Sequence, residues 1–310
     1  MAVIAIGGNS LIKDAQHQSV EDQYEAVRET ARHIADLIQA GFQVVVTHGN
    51  GPQVGFILLR SEMARDKIHE VPLDVCGADT QGAIGYQIQQ ALKNEFQSRG
   101  LNRLPVTVVT QTVVDAGDPA FQKPSKPIGS FYTAEQAEVR KKEDGWTMVE
   151  DAGRGWRRVV ASPLPKEILE KDAIAALIKA GFIVVAAGGG GVPVVRKKNG
   201  DIRGVAAVID KDYATSLLAN QLGADYLVIS TGVDQVCLNF GTPQQKALPQ
   251  MTVAEAERYL VEGHFKPGSM KPKVEACLQF LKRGGKLALI TSPEALPKAV
   301  RGDTGTRIVP

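Results

Sequence analysis

Apolar runs of four or five residues recur along the chain, each followed by a glycine-rich or polar loop and then by a stretch with helical spacing. The first is Val3 to Ile6, which leads into Gly7-Gly8-Asn9-Ser10. Tyr24, Val27, Ala31, Ile34 and Ile38 then mark one face of a helix that stops at Gly41. A second strand, Gln43 to Val46, ends in Thr47-His48-Gly49-Asn50-Gly51-Pro52. Residues 53–65 and 79–97 read as helices, the second with Ile84, Ile88, Ala91 and Leu92 on one face. Val106 to Thr110 reads as a third buried strand.

The segment Leu37-Ile38-Gln39-Ala40-Gly41-Phe42-Gln43-Val44-Val45 recurs as Leu177-Ile178-Lys179-Ala180-Gly181-Phe182-Ile183-Val184-Val185. In both, a helix stops at glycine, a β-branched strand follows, and a glycine loop ends the unit, at 49–51 and at 188–191. Leu222 to Ile229 and Arg283 to Ile290 repeat the theme. Apolar runs that do not alternate are strands buried on both faces. They predict an α/β fold, a three-layer α/β/α sandwich around a mainly parallel sheet.

Residues 115–160 break this rhythm. They hold Trp146 and Trp156, prolines at 119, 124 and 127, and a charged helix around Glu135 to Glu143. A structureless loop of this length would be unusual, so the segment reads as a small protruding subdomain or lid inserted in a single 1–310 domain, with Lys126 at its entry. Further on, Val205 to Ile209 reads as a strand delivering Asp210-Lys211-Asp212 to a helix that begins at Tyr213. That places three charges at the carboxyl edge of the sheet, where ligands bind in open α/β folds. Taken alone, the triplet is equally well explained as a surface turn with a helix-capping carboxylate. A helix at 252–263 and the loop Gly268-Ser269-Met270-Lys271-Pro272-Lys273 precede a final helix bearing Val274, Cys277, Leu278 and Leu281.

At 310 residues, 44% hydrophobic and 23% charged, the chain can bury a large core. A net charge of +2 and 5% aromatic residues give no basis for nucleic acid or an acidic membrane as partner. The apolar start is too short for a signal segment, and no run approaches a membrane span. Cys76, Cys237 and Cys277 are odd in number and lack metal-ligand spacing, so free thiols in a reducing cytoplasm are expected.

A single glycine loop is explained by a tight turn alone. Loops at 7–10, 49–51 and 188–191 on one sheet edge point to backbone N–H groups gathered around an oxyanion or phosphate. A Walker-type Gly-Lys-Ser/Thr run and a G-x-G-x-x-G after the first strand are both absent, which disfavours a dinucleotide oxidoreductase. His48 alone among the histidines lies in a glycine loop, and neither a hydrolase triad nor a zinc site is supported. Lys126, Lys211 and Lys273 each fall in a loop punctuated by Gly, Pro or Asp, rather than on a helix face. Singly each is a solvated charge. Together with backbone anion sites they suggest phosphoryl transfer, in which positioning and charge stabilisation do most of the catalysis.

Seven segments carry a resemblance: Ala5 to Leu11, His48 to Gly55, Thr80 to Tyr86, Lys126-Pro127-Ile128-Gly129, Gly188 to Val194, Val208 to Asp212, and Gly268-Ser269-Met270. In order and over nearly the whole chain, they resemble the carbamate kinases of the amino acid kinase superfamily. The resemblance implies the reversible reaction of ATP and carbamate to ADP and carbamoyl phosphate, with Mg²⁺ carried on the nucleotide and no residue assigned as a metal ligand. It further implies use chiefly in making ATP, a cytoplasmic homodimer, and a place in arginine metabolism. Carbamate or carbamoyl phosphate would lie at Gly7, Gly8, Asn9, Gly49, Asn50 and Gly51. Lys211 and Lys273 would meet the transferring phosphoryl group, Asp212 would hold both, and Lys126 would reach in from the subdomain. The nucleotide would contact Gly8, Asp210, Lys211, Ser230, Thr231, Val233, Asp234, Met270 and Lys273.

Ser10 and Gly232 depart mildly from the pattern, and Ala5 stands where some other acid kinases of the superfamily carry lysine, which disfavours the acetylglutamate type. Carbamate is already an anion and needs no general base, which suits a site of lysines and glycine loops. Two alternatives remain at this stage: a related kinase acting on another small carboxylate or phosphonate, and a nucleotide sensor without turnover.

Overall fold

A computed structural model describes residues 1–7, 11–12, 14, 16–151 and 153–310. Gly8 and Asn9 of the expected substrate loop, and Ser10 beside them, therefore lie outside the described residues. In chain order the first half runs β1 (Ala2–Ile6), α1 (Val20–Gln39), β2 (Val44–His48), α2 (Gly51–Ala64), α3 (Leu73–Ser98), β3 (Pro105–Thr107) and β4 (Gln111–Val114). Next come β5 (Lys126–Tyr132), α4 (Ala134–Asp144), β6 (Met148–Glu150), β7 (Trp156–Val160), β8 (Pro165–Ile168), α5 (Lys171–Lys179) and β9 (Ile183–Val185). The remainder is β10 (Val192–Arg196), β11 (Ile202–Gly204), α6 (Lys211–Gln221), β12 (Tyr226–Ser230), β13 (Val236–Leu238), β14 (Lys246–Leu248), β15 (Gln250–Thr252), α7 (Val253–Val261), α8 (Met270–Lys282), β16 (Leu287–Thr291), α9 (Leu296–Arg301) and β17 (Thr306–Val309).

The central sheet has eight strands in the order β15-β17-β16-β12-β1-β2-β9-β3, parallel from β16 to β3, with β17 antiparallel to β16. Alternate strand residues feed two cores. Val3, Ala5, Val45 and Ile229 pack with α5, α6, α7 and α8, while Ile4, Ile6, Val46 and Val228 pack with α1, α3 and α9. Every side chain of β1 and β2 is buried, and each fully buried Val or Ile is worth about 1.5–3 kcal/mol.

The echoed sequence segments have one structural cause. At Gly41 and Gly181 φ is +90°, and the residue after each glycine donates its N–H to the carbonyl five residues back, Phe42 to Leu37 and Phe182 to Leu177. This is the Schellman closure, which glycine permits because it has no Cβ to clash at positive φ. It aims the chain into β2 and β9, which are hydrogen-bonded neighbours. Gly223 and Gly284 close α6 and α8 in the same way ahead of β12 and β16.

Two expected strands are shorter than the apolar pattern suggests. Of Val106 to Thr110, only the stretch to Thr107 is in β3. Beyond it the Gln81 side chain takes both backbone groups of Thr110, accepting from its N–H at 2.7 Å and donating to its carbonyl at 3.0 Å. The chain then passes into a second sheet, β11-β10-β4-β8. Val205 to Ile209 is not a strand of the main sheet. It makes a single bridge, Ala207 to Ala161, and its carboxyl end is closed off by Gly190, where a Cβ would lie 2.6 Å from the Ile209 carbonyl oxygen. The charged triplet therefore reaches the sheet edge from the side, over β2, rather than on a strand of its own.

Within 115–160, β5, β7 and β6 form a three-stranded antiparallel sheet beside α4. Its inner residues Ile128 and Val160 pack on Val54 and Leu58 of α2 and on Leu73 and Cys76 of α3. Polar contacts tie this sheet and α4 to the α2 region: Tyr132 donates to Glu62 at 2.8 Å, and Arg65 donates to Asp144 at 2.7 Å. Among the described residues no helix is long and apolar enough to cross a membrane, and Cys76, Cys237 and Cys277 are all free thiols.

Candidate active site

The parallel strands β12, β1, β2 and β9 bring their carboxyl ends together, so Ser230, Gly7, Gly49 and the 188–191 run share one edge. At Gly7 a Cβ would lie 2.8 Å from the Ser230 carbonyl oxygen, so the two strand ends approach as closely as they do only with glycine there. Above this edge lies a cleft of about 380 Å³, bordered by Gly49, Asn50 and Gly51, by Asp210, Lys211 and Asp212, by Gly268, Ser269 and Lys273, and by Lys126.

Three helices begin at this cleft: α2 at Gly51, α6 at Lys211 and α8 at Met270. Each supplies unpaired backbone N–H groups and the positive end of its dipole. Pro52 and Pro272 are tolerated because they fall within first turns, where an N–H has no intrahelical partner. Lys211 and Lys273 are thus residues of helical first turns, and Lys126 opens β5. The loop placement expected for these three lysines is corrected, because Asp210 caps α6 one residue before Lys211 and α8 begins three residues before Lys273.

The charges interlock. Asp212, 2% exposed, accepts from Lys211 Nζ at 2.5 Å through Oδ1 and from Lys273 Nζ at 2.8 Å through Oδ2. Asp210 Oδ1 accepts the Asp212 N–H at 2.9 Å as the α6 cap, and its Oδ2 accepts from Lys126 Nζ at 2.9 Å. Burial alone would raise the Asp212 carboxyl pKa, but the two ammonium groups hold it well below the usual carboxylate range. Burial, joined by repulsion from Lys273, pulls the Lys211 ammonium below an ordinary lysine, while Asp212 opposes that shift. The first turn of α6 is fixed on β2: Thr215 donates its hydroxyl to the Lys211 carbonyl and accepts from Thr47 at 2.6 Å.

The glycine run at 188–191 is mainly a packing device. A Cβ at Gly188 would lie 2.2 Å from His48 Nε2, one at Gly189 2.1 Å from Asn50 Nδ2, and one at Gly191 2.0 Å from Thr112 Oγ1. Its bareness lets His48 and Asn50 tuck under the loop, and only Gly189 borders the cleft. Asn50 is then held by a 2.8 Å bond from its Nδ2 to Thr80 Oγ1. His48 is buried beside Lys211, and burial lowers its imidazole pKa to about 4. A carbonyl can only accept, so the 2.9 Å contact of Nδ1 with the Gly49 carbonyl fixes the Nδ1–H tautomer.

A second cleft of about 240 Å³ adjoins the first at Ser269, which lines both. It takes in Val233 and Met270, as expected, and adds Cys237, Phe240 and Phe265. Ser230 is wholly buried, with no hydrogen-bond partner for its hydroxyl among the described residues. Thr231 uses its N–H on the Thr291 carbonyl at 2.8 Å. Asp234 is exposed and lines neither cleft. Sequence reasoning missed Arg157 of β7, which borders the first cleft. The available signal was an Arg-Arg pair on an alternating strand, which must send one arginine to each face.

Among the described residues no three His, Cys, Asp or Glu side chains are grouped to hold a metal, and the two cleft carboxylates are taken up by lysines.

The amino acid kinase family model matches residues 1–292. The chain belongs to the amino acid kinase family. Within this family it is 52% identical to the carbamate kinase of Thermococcus kodakarensis, over 99% of this chain and 98% of that protein. It is 54% identical to the carbamate kinase-like protein YahI of Escherichia coli, over 100% of this chain and 98% of that one. The carbamate kinase of Giardia lamblia bound to AMP-PNP has the same fold, with a TM-score of 0.94, 44% identity, and coverage of 99% of this chain and 98% of that one. The expected α/β fold and family resemblance hold along the full length.

Proposed function

We propose that the protein is a carbamate kinase, transferring phosphoryl reversibly between ATP and carbamate. The observation that carries this reading is the set of three lysines, from β5, α6 and α8, held on two carboxylates beside the converging N-termini of α2, α6 and α8, with no general base among them. Full-length likeness to carbamate kinases supports it.

In this reading adenosine occupies the cleft at Val233, Phe240 and Met270, and its phosphates run past Ser269 toward Lys211 and Lys273. Carbamate lies against Gly49, Asn50 and Gly51 at the α2 N-terminus. Its oxygen forms a bond to the γ-phosphorus as the bond from that phosphorus to the bridging oxygen breaks, and ADP leaves with the electron pair. Positive charge and backbone N–H groups bring two anions together and stabilise the charge spread over the phosphoryl oxygens. When bound, Mg²⁺ would be carried by the nucleotide phosphates and would supply neutralisation of their charge, since no group of three metal-ligating side chains is found among the described residues. Residues 115–160 act as a lid that brings Lys126 over the acyl phosphate.

Mixing the protein with carbamoyl phosphate, ADP and Mg²⁺ should yield ATP. No ATP above a Lys211→Ala control sinks the reading. A panel of small carboxylates offered with ATP should leave carbamate the preferred acceptor. We also read the protein as a homodimer in a reducing compartment such as the cytoplasm. Leu59 and Met63, one turn apart on α2, and Val75 and Tyr86 on α3 form exposed apolar positions on one helix pair, and the thiols are unpaired. Sedimentation at micromolar concentration should give twice the 33.2 kDa chain mass.

A further inference from the structure

We infer that Arg157 is a substrate-binding residue of the cleft, gripping two oxygens of the phosphoryl group of carbamoyl phosphate. The inference rests on the function proposed above and names a contact on the subdomain wall of that site.

Arg157 and Arg158 are consecutive on β7 and point to opposite faces. Arg158 turns inward, its guanidinium 4.4 Å from the Trp146 ring centroid. Arg157 lines the cleft, on the same wall as Lys126. Arg157 and the three lysines differ in how far their bonding is used. Lys126, Lys211 and Lys273 each hold a carboxylate oxygen at 2.5–2.9 Å. Among the described residues Arg157 hydrogen-bonds the Gly129 carbonyl at 3.2 Å and Asp151 at 3.4 Å, and Asp151 is bonded more closely by Arg154, at 2.9 Å. Its Nε is buried with no hydrogen-bond partner among the described residues. A guanidinium carries five N–H donors, and a buried one without a partner costs about 1–3 kcal/mol. The long bonds of its terminal nitrogens, rather than the enclosed Nε, leave this guanidinium at the cleft wall with bonding capacity for an incoming anion.

Shape and charge agree with that assignment. Phe131 lies 5.1 Å from the Arg157 guanidinium and stabilises the cation where it stands. The planar fork meets two oxygens of a tetrahedral phosphate at once, which an ammonium cannot do. Three lysines against Asp210 and Asp212 leave one net positive charge, and Arg154 and Arg157 against the single Asp151 leave a second at this wall of a site that must admit two anions. The adenosine cleft lies on the far side of Ser269, so the contact should serve carbamoyl phosphate rather than the base or ribose.

Arg157→Ala and Arg157→Lys should be assayed for ATP formation beside the wild type, with ADP binding and carbamoyl phosphate binding without nucleotide measured by calorimetry. Each interaction of this kind is worth about tenfold or more. Arg157→Ala should raise the KM for carbamoyl phosphate at least about tenfold, with ADP affinity changed less than about twofold. Arg157→Lys should recover little, since it restores charge without the fork. Carbamoyl phosphate KM within about threefold of wild type in Arg157→Ala, or an equal loss of ADP affinity, overturns the inference. If the alanine variant does not fold, the lysine variant carries the test, and wild-type kinetics there overturn it. A wild-type protein that makes no ATP refutes the proposed function instead, and the calorimetric arm then reads Arg157 separately.

Discussion

Asp212 on α6 and Lys273 on α8 are joined by a 2.8 Å hydrogen bond that pins the first turns of two helices to one buried carboxylate. The other oxygen of that carboxylate holds Lys211. One anion thus presents two cations side by side, and neither would be stable there without it.

Replacing Asp212 by Asn keeps the shape and removes the charge. The Lys211 pKa, already lowered by burial and Lys273, should fall further once the carboxylate that opposes the shift is gone. In the proposed mechanism activity requires the protonated ammonium, so it is lost as pH rises through that pKa. We expect an alkaline limb of kcat/KM below the ordinary lysine range in the wild type, moved to lower pH in Asp212→Asn. Rate at pH 7 should drop about 100-fold or more, with a smaller effect on Tm. An unmoved alkaline limb, or a variant that is unfolded, would show that Asp212 is a structural cap.

The sheet and its edge were legible in the sequence because both depend on local signals. Non-alternating Val and Ile runs give strands buried on both faces, and each Gly41-type stop turns the chain back toward the sheet. Val205 to Ile209 misled for the same reason: its composition is that of a strand, and only tertiary contacts with Ala161 and Gly190 decide that it pairs once and stops. Lys126, Lys211 and Lys273 could be picked out as residues, but their meeting on two carboxylates depends on how strand β5 and helices α6 and α8 converge. Arg157 was hidden because its neighbours in sequence do not reveal which loop the β5–β7–β6 sheet overhangs.

Gly189 tests the packing role of the 188–191 run. Its φ is +64°, and a Cβ would lie 2.1 Å from Asn50 Nδ2. Gly189→Ala therefore carries both backbone strain and a collision with a side chain bordering the cleft, at a cost of about 1–3 kcal/mol. Tm should fall, and kcat/KM for carbamoyl phosphate should fall with it as Asn50 is displaced. Full activity in a stable Gly189→Ala protein would contradict this account.

His48 ties stability to pH. Its pKa drops from 6.5 to about 4 on burial, so the unfolded chain binds the extra proton between these values. Stability from the neutral imidazole is complete above pH 6.5 and is lost as pH falls toward 4. At 1.36 kcal/mol per unit the loss is about 3 kcal/mol. Denaturant unfolding from pH 7 to 4 should show this slope in the wild type and a flatter one in His48→Gln. Equal slopes would place the acid sensitivity elsewhere.

Asp210 combines two tasks that a single substitution can separate. One oxygen caps α6 through the Asp212 N–H, and the other holds Lys126 of the subdomain. Asparagine caps a helix about as well as aspartate, so Asp210→Asn should change stability by less than about 1 kcal/mol. The Lys126 pair is partly exposed, 35% on the lysine side, and is itself worth little to stability. In the proposed mechanism Lys126 leaves Asp210 for the acyl phosphate as substrate arrives. Lys126→Ala should then lower kcat far more than ADP affinity, by about 10- to 100-fold against less than threefold. Asp210→Asn should act largely through Lys126, so the double variant should be little worse than Lys126→Ala alone. Strictly multiplicative losses in kcat would mean that the two residues act independently and that Asp210 has a role of its own toward the nucleotide.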